Sequence, residues 1–336
     1  MYREPRSLIM PEPTTSLAPR RYAPRSLITA SIRLVLRTVT ALPTAVDATP
    51  KLLARLPGIR AHEVHIPVAD AHTPGTLYLP ATAEPRPCVL LMHGTSAWMP
   101  LAYLFFIEAL LERGIGVLHV DLDGHGRHPH PLSGTGLAQT ANAAFTWLAA
   151  RPEVLPDRLG VMGVSLGGSC ALRAAADTGL AKAIGLVSTP VTVSMNGRAR
   201  LREFVSTLNP EALEGWAQVP PHALLRSLRA RIRLPEVPSS LGATEIDLFD
   251  RVTEPIIQHA IDELAPLRCA SRLSNLPVAL VNGAWDAIAP PSEAVRLAEQ
   301  FQGPCEALII PRRNHFTIMT SRRGARHMAT CFDQWL

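Results

Sequence analysis

The chain of 336 residues is long enough for one large hydrophobic core with an insertion, or for two modest domains. Its hydrophobic content of 47% and charged content of 18% are typical of a globular protein and exclude an intrinsically disordered one. The net charge of +5 is mild and no nucleic-acid-binding motif accompanies it, so we expect no nucleic-acid partner.

Residues 1–50 are predicted to be a basic leader. Within them, residues 25–42 carry apolar side chains at helical spacing, with Arg33 and Arg37 on the opposite face. Such a helix fits peripheral contact with an anionic membrane or a targeting presequence, and docking on the protein's own core explains it equally well. No run of about eighteen apolar residues predicts a membrane span.

The cysteines indicate the cellular compartment. They are odd in number and widely spaced, a pattern typical of free thiols under reducing conditions rather than of a disulfide framework. We therefore expect a cytoplasmic protein, with membrane association through residues 25–42 left open. Nothing in the sequence indicates an oligomeric state. The cysteines are Cys88, Cys170, Cys269, Cys305 and Cys331.

Strands and helices alternate through most of the remaining chain. This alternation predicts an α/β fold with a mostly parallel, doubly wound sheet, built from residues 51–190 and 271–336. The predicted strands are 62–68, 75–79, 88–92, 117–121, 159–164, 183–187, 277–281 and 307–310. The predicted helices are approximately 101–113, 136–150 and 170–176, with a further helix that ends at Leu336.

Residues 191–270 interrupt the alternation with proline-separated, arginine-rich pieces of helical character. They leave the predicted sheet after one strand and return before the next, which predicts a helical cap over the edge where the strands end. The apolar side chains of this cap favour an apolar substrate, although packing of the cap on the core explains them equally well. We expect Trp98 and Trp216 to contact the substrate. The arginines bind an anionic group or form a solvated face.

The segment Leu159–Gly168, LGVMGVSLGG, predicts a buried strand that runs directly into a glycine-flanked serine and then into a helix. A nucleophile on so tight a turn needs a positive φ, and glycine at Gly163 and Gly167 avoids collisions with neighbouring backbone. We interpret Ser165 as the nucleophile and the Leu166 N–H as an oxyanion donor. The alternative is a chance G-x-S-x-G.

A serine nucleophile needs a base, and the base needs a group that orients it. Asp286 follows the predicted strand that ends at Val281, and His315 follows the predicted strand that ends at Ile310. Because parallel strands present their carboxyl ends at one edge, we expect both side chains to converge with Ser165.

Other candidates for base and acid fit less well. His327 also follows Asp286 but falls inside the predicted terminal helix, where a surface role is expected. Asp121 and Asp123 follow an earlier strand and precede the serine in the chain. The loop after residue 187 contains no acid that replaces Asp286.

The order serine, aspartate, histidine and the accompanying motifs resemble the α/β-hydrolase superfamily. The resemblance runs from about His62 to the C-terminus, without residues 191–270, and implies a cap at that insertion. It also implies a second oxyanion donor in the loop after Met92, which we assign to the Thr95 N–H, with Gly94 as a further member of the predicted oxyanion hole. Here the sequence has one glycine followed by Thr95-Ser96 in place of the HGGG type. The matching motifs are His93-Gly94, Asp121–Gly126, the serine turn, Gly283–Asp286 and Asn314–Phe316.

The resemblance implies a serine hydrolase that acts through an acyl-enzyme without a metal or organic cofactor, and we expect it to cleave a carboxylic ester. The motifs do not identify the substrate; the apolar acyl group is expected from the side chains of the predicted cap. A thioesterase or an acyltransferase uses the same triad and stays open. A non-catalytic ligand-binding protein on the same fold is the alternative from another class, and a peripheral membrane lipase is a third hypothesis.

A zinc site is an alternative interpretation of the histidine-rich stretch that contains His125, His128 and His130. Neither a cysteine spacing nor an HExxH pattern supports zinc. In the resembling family, the corresponding segment is a structural turn near the pocket, and we expect the same role here.

Overall fold

A computed structural model describes residues 8–9, 58–95, 103–193, 203 and 253–336. The predicted amphipathic helix at 25–42, Trp98, Trp216 and most of the predicted cap lie outside these residues. The division of the chain into leader, core and cap therefore stays a prediction.

The described residues form one sheet of nine strands. The strands are β1 (Leu8–Ile9), β2 (Ile59–Val68), β3 (Ala71–Pro80), β4 (Arg86–Met92), β5 (Gly116–Val120), β6 (Val154–Val164), β7 (Ala183–Val187), β8 (Val278–Gly283) and β9 (Cys305–Ile310). Their order across the sheet is β1-β9-β8-β7-β6-β4-β5-β3-β2. Strand β3 runs opposite to the other strands, so its pairs with β2 and β5 are antiparallel and the remaining pairs are parallel. The predicted mostly parallel sheet is confirmed.

Helices cover both faces of the sheet, as the doubly wound prediction requires. They are α1 (Leu104–Leu111), α2 (Gly134–Ala149), α3 (Leu166–Thr178), α4 (Thr253–Leu264), α5 (Pro266–Arg272), α6 (Pro291–Ala298) and α7 (Arg322–Trp335). Buried side chains of α1 and α7 pack on one face. Those of the other helices pack on the opposite face, so the sheet lies between two apolar layers.

Strand β4 shows why the central strands are apolar throughout. Cys88, Leu90 and Met92 pack into one layer, whereas Val89 and Leu91 pack into the other. Because neighbouring side chains of a strand point to opposite faces, a strand covered on both sides must be apolar at every position.

The observed elements extend beyond the predicted ones. Strand β6 begins at Val154, and α3 begins at Leu166, immediately after the proposed nucleophile. Helix α6 was not predicted, because its eight residues are fewer than the eleven or so over which helical periodicity is recognised. All five cysteines are free thiols. Among the described residues, none of the helices combines the length and apolar character that crossing a membrane requires.

Candidate active site

Ser165 lies on a sharp turn between β6 and α3. Its φ of 52° and ψ of −124° place it outside the conformations that a residue with a side chain normally adopts. A Cβ atom on Gly163 would overlap the backbone of Gly167, and one on Gly167 would overlap the carbonyl of Met92. The N–H of Ser165 donates to the Val187 carbonyl at 2.9 Å, which ties the turn to β7. Close packing on both sides thus holds the strained serine in place.

The structure brings Ser165, His315 and Asp286 together at the carboxyl edge of the sheet. The distance from Ser165 Oγ to His315 Nε2 is 2.9 Å. His315 Nδ1 lies 3.0 Å from Asp286 Oδ2 and 3.1 Å from Oδ1. Ser165 follows β6, whereas Asp286 and His315 follow β8 and β9, so parallel strands bring together residues up to 150 positions apart in the chain.

Backbone amides hold the Asp286 carboxylate in its orientation. Its Oδ1 accepts the N–H of Ile288 at 3.0 Å and that of Ala289 at 2.7 Å. An anionic carboxylate next to Nδ1 favours the imidazole tautomer with its proton on Nδ1. His315 Nε2 then faces Ser165 with a lone pair, as a general base requires.

Two acids raise the pKa of His315 above its ordinary value of 6.5. Burial acts in the opposite direction and is the largest single effect, because it penalises the charged ring. The charge of Asp286, its hydrogen bond to the ring and the charge of Glu203 together outweigh burial. The site therefore favours the imidazolium more than water does.

The proposed oxyanion donors lie beside the serine. Leu166 is the first residue of α3, so its N–H has no carbonyl within the helix to donate to. Thr95 lines the same cavity from the loop after β4. Leu166 and Thr95 thus border the cavity at Ser165 from two different segments, and their role as oxyanion donors stays a prediction.

Gly94 was also predicted in the oxyanion hole, but its N–H is not directed at the cavity. Its N–H donates to the hydroxyl of the buried Tyr103 at 2.9 Å, so it is engaged away from the cavity. A Cβ atom on Gly94 would lie 2.9 Å from Ser165 Cβ, closer than side chains tolerate. Gly94 supplies room for the serine turn, and the N–H of Thr95 stays the proposed second donor.

The cavity next to the serine is mostly apolar. In addition to the serine, the histidine and Thr95, it is lined by Leu166, Pro190, Val193, Ile257, Ile288 and Phe316. Of these, Val193 and Ile257 belong to the segment predicted as the cap. The expected substrate contacts Trp98 and Trp216 fall outside the described residues.

The rejected candidates for base and acid lie apart from the serine. His327 is half-buried on α7, where its Nε2 is 3.9 Å from the Cys331 thiol. Asp121 accepts the Arg127 N–H at 3.0 Å. Burial raises the pKa of Asp121 to about 6, although Arg127 opposes this shift.

The histidine-rich turn brings Asp123, His128 and His130 together, with ligand atoms within 4.8 Å of one another. His128 Nδ1 accepts the His130 N–H at 3.2 Å, which places the His128 proton on Nε2, towards the Thr140 hydroxyl at 3.2 Å. Thr140 donates in turn to Asp123 Oδ2 at 2.5 Å. Both ring nitrogens of His128, the middle member of the cluster, are thus engaged in hydrogen bonds within the turn, and we interpret the cluster as part of that turn.

Glu203 is a residue at the site that the sequence did not single out. It is fully buried and contacts the loops that carry Asp286 and His315. It lies in the arginine-rich insertion, where one acid among several arginines has the pattern of a solvated face. No signal in the sequence distinguishes it from a surface glutamate.

Comparison with known families agrees with this geometry. Residues 89–326 match the Alpha/beta hydrolase family. The chain belongs to this family. Membership of the alpha/beta hydrolases supports an activity of the hydrolase class and confirms the resemblance drawn from the motifs.

Two curated relatives are the uncharacterized proteins MT2364 and Rv2307c of Mycobacterium tuberculosis. Each is 32% identical over 111 residues, which make up 33% of this chain. The match spans 39% of each relative's length, so the similarity is partial.

Solved structures share the alpha/beta hydrolase fold at low identity. A 2,6-dihydroxy-pseudo-oxynicotine hydrolase is similar with a TM-score of 0.61 and 16% identity, covering 93% of this chain and 82% of that one. The metagenomic carboxylesterase EstE1 gives 0.56 and 18%, covering 93% and 97%. A Pyrobaculum calidifontis esterase gives 0.56 and 16%, covering 92% of both chains. At these identities the likeness concerns the fold alone.

Proposed function

We propose that this alpha/beta hydrolase cleaves a carboxylic ester of an apolar acyl group through an acyl-enzyme on Ser165. The observation that carries the proposal is the hydrogen-bonded series from Ser165 Oγ to His315 Nε2, at 2.9 Å, and from His315 Nδ1 to Asp286, at 3.0 Å. These are the contacts that activate a serine hydroxyl for attack on a carbonyl carbon.

In the first half of the reaction, Ser165 Oγ attacks the carbonyl carbon and its proton moves to His315 Nε2. The negative charge on the carbonyl oxygen is received by the N–H groups of Leu166 and Thr95. Collapse of the tetrahedral intermediate breaks the bond to the alcohol oxygen, and His315 returns the proton to the departing alcohol. The acyl group then remains bound to Ser165.

In the second half, water replaces the alcohol. His315 takes a proton from the water, whose oxygen attacks the acyl carbon, and the same two N–H groups receive the charge. The bond to Ser165 Oγ breaks and His315 gives its proton back to the serine, so the acid leaves and the enzyme is restored. Asp286 stays anionic throughout and stabilises the imidazolium.

The cavity supports an apolar acyl group. Val193, Ile257 and Ile288 surround the space next to Ser165, so an acyl chain placed there would be removed from water. A charged acyl group would lose its hydration without gaining a partner among these side chains.

The decisive experiment combines covalent labelling with a substrate panel. A fluorophosphonate probe should label the wild-type protein and fail to label Ser165→Ala. Ser169→Ala is the matched control, because Ser169 is buried one helical turn further along α3 and should leave labelling intact. Equal labelling of the wild type and Ser165→Ala, or none of either, would overturn the proposal.

The panel sets p-nitrophenyl esters of increasing acyl length beside acyl-CoA thioesters. The proposal expects serine-dependent release of p-nitrophenol that exceeds release of CoA. Faster thioester cleavage would assign the site to a thioesterase. Transfer of the acyl group to an added alcohol in place of water would assign it to an acyltransferase.

A further inference from the structure

Glu203 bridges the two loops that carry the acid and the base. Its Oε1 accepts the N–H of Ala287, the residue after Asp286, and its Oε2 accepts the N–H of His315 at 3.1 Å. Its backbone carbonyl accepts the Asn314 side-chain amide at 2.9 Å. A single buried glutamate therefore binds the backbone N–H groups of Ala287, next to Asp286, and of His315 at the same time.

The sheet alone does not reach this far along the two loops. Hydrogen bonds between the backbones of the loops continue as far as Trp285, whose N–H donates to the Arg313 carbonyl at 2.9 Å. Glu203 then connects the loops two residues further along each of them, at Ala287 and His315. Asn314 connects this bridge to the following turn, because its side-chain oxygen accepts the Thr317 N–H at 2.8 Å.

Glu203 also brings a second negative charge to the imidazole. Within the described part of the chain, the charged groups that act on His315 are Asp286 and Glu203. Burial raises the pKa of Glu203 to about 7, and the charge of Asp286 adds to this shift, while His315 opposes it. Because the charge of each group shifts the pKa of the other, the titrations of Glu203 and His315 are coupled.

We propose that Glu203 is a positioning residue for the proposed hydrolysis: its carboxylate holds the Asp286 and His315 loops together, and its charge stabilises the imidazolium that forms when Ser165 is deprotonated. The inference rests on the proposed function. Glu203 does not line the cavity, so it acts through His315 and not on the substrate.

Glu203→Gln and Glu203→Asp separate the two parts of this role. Glutamine keeps the length of the side chain but removes the charge and one of the two acceptors. Aspartate keeps the charge, but with one methylene fewer it cannot reach both backbone amides. The readouts are kcat, KM and the pH dependence of kcat/KM with the best p-nitrophenyl ester, and thermal unfolding of each variant.

In Glu203→Gln, the acidic limb of kcat/KM should move to lower pH by about one unit, because loss of a nearby negative charge lowers the pKa of His315. The kcat should fall about tenfold in both variants, because the alignment of His315 with Ser165 is disturbed. The KM should change by less than about twofold, because the residues that line the cavity are unchanged. In Glu203→Asp, the acidic limb should stay close to that of the wild type.

Glu293→Gln is the matched control. Glu293 is also a buried carboxylate that accepts two backbone N–H groups, those of Val191 and Thr192 at 2.7 and 2.9 Å. It belongs to α6 and does not act on His315. This variant should lose stability without moving the acidic limb.

Each outcome decides one part of the inference. An unmoved acidic limb in Glu203→Gln would overturn the role of the charge, and wild-type kcat in Glu203→Asp would overturn the bridge. If Glu203→Gln does not fold, Glu203→Asp still tests both parts. Its kcat tests the bridge, and because this variant keeps the charge, an acidic limb that moved by about one unit in it would overturn the role of the charge. Absence of serine-dependent turnover in the wild type would instead overturn the proposed function, with Ser165→Ala as the reference.

Discussion

Three buried histidines of the same sheet, His315, His93 and His119, have pKa values shifted in opposite directions. The pKa of His315 is raised, because the charges of Asp286 and Glu203 and the hydrogen bond from Asp286 outweigh burial. The pKa of His93 lies well below its ordinary value, because of burial and then the nearby rings of His125 and His119. That of His119 is lowered by burial to about 3.

The difference shows that burial alone makes a histidine a neutral structural group. His93 Nε2 accepts the N–H of Leu122 at 3.0 Å, and Nδ1 lies 2.9 Å from the Gly94 carbonyl, so His93 connects the loops after β4 and β5. A ring in such surroundings holds backbone in place and does not accept protons at neutral pH. Only the ring with acidic partners can serve as a base.

The largest expected effect comes from removing the base. His315→Ala should lower kcat for ester hydrolysis about a million-fold, because loss of one member of a serine triad removes most of its joint effect. Steady-state kinetics measures this, with circular dichroism to establish that the fold is kept. Turnover within about a hundredfold of the wild type would contradict the role of His315.

The pH dependence of the wild type is the next effect. Because the pKa of His315 is raised, the base should be half-protonated above pH 6.5, and kcat/KM should fall about tenfold per pH unit below that point. A pH profile from 5 to 8 measures the midpoint. A midpoint below 6.5 would show that burial outweighs the acids and would remove the contrast with His93.

A pair of matched substitutions tests the structural histidines. His93→Phe leaves the buried N–H of Leu122 without its acceptor and should cost about 1–3 kcal/mol of unfolding free energy. His119→Phe should cost less, because among the described residues its Nε2 has no hydrogen-bond partner. Denaturant unfolding of both variants measures the difference, and equal losses would contradict the role given to His93.

A change of similar size concerns stability against pH, where the two kinds of histidine act with opposite sign. A folded pKa of about 3 for His119 means that the unfolded chain binds its proton first, so stability falls by about 1.4 kcal/mol per pH unit below 6.5. His119→Phe should flatten this loss. The raised pKa of His315 contributes stability that is fully present below 6.5 and is lost as pH rises above that value, so His315→Ala should remove a pH dependence above 6.5 and leave the slope below it unchanged. Unfolding midpoints between pH 5 and 8 measure both slopes.

Much of the fold could be predicted because its signals are local. Strands such as β4 and β7 are continuous apolar runs, and their alternation with helices leaves a parallel sheet as the natural arrangement. The serine turn was predictable for the same reason, since Gly163 and Gly167 are next to the position that needs them. Helix α6 was missed because a short helix next to prolines carries little pattern.

Two features of the site were not predictable from local signals. The loop with Gly94 follows an apolar strand, but no neighbouring residue indicates that the Tyr103 hydroxyl accepts a hydrogen bond from the Gly94 N–H. Glu203 resembles a surface acid, although it meets Ala287 and His315, more than eighty residues away in the chain. Such contacts depend on how distant loops pack, and residue spacing does not encode that.

The amino-acid sequence by itself determined the parallel sheet, the strained serine and the placement of Asp286 and His315 at strand ends, because each follows from neighbouring residues and from the direction of the strands. Only the tertiary structure decided which histidine has a raised pKa and that Glu203 is the second acid beside it. The reason is that a pKa reflects the charges and the burial around a ring, and those are set by groups brought from remote parts of the chain.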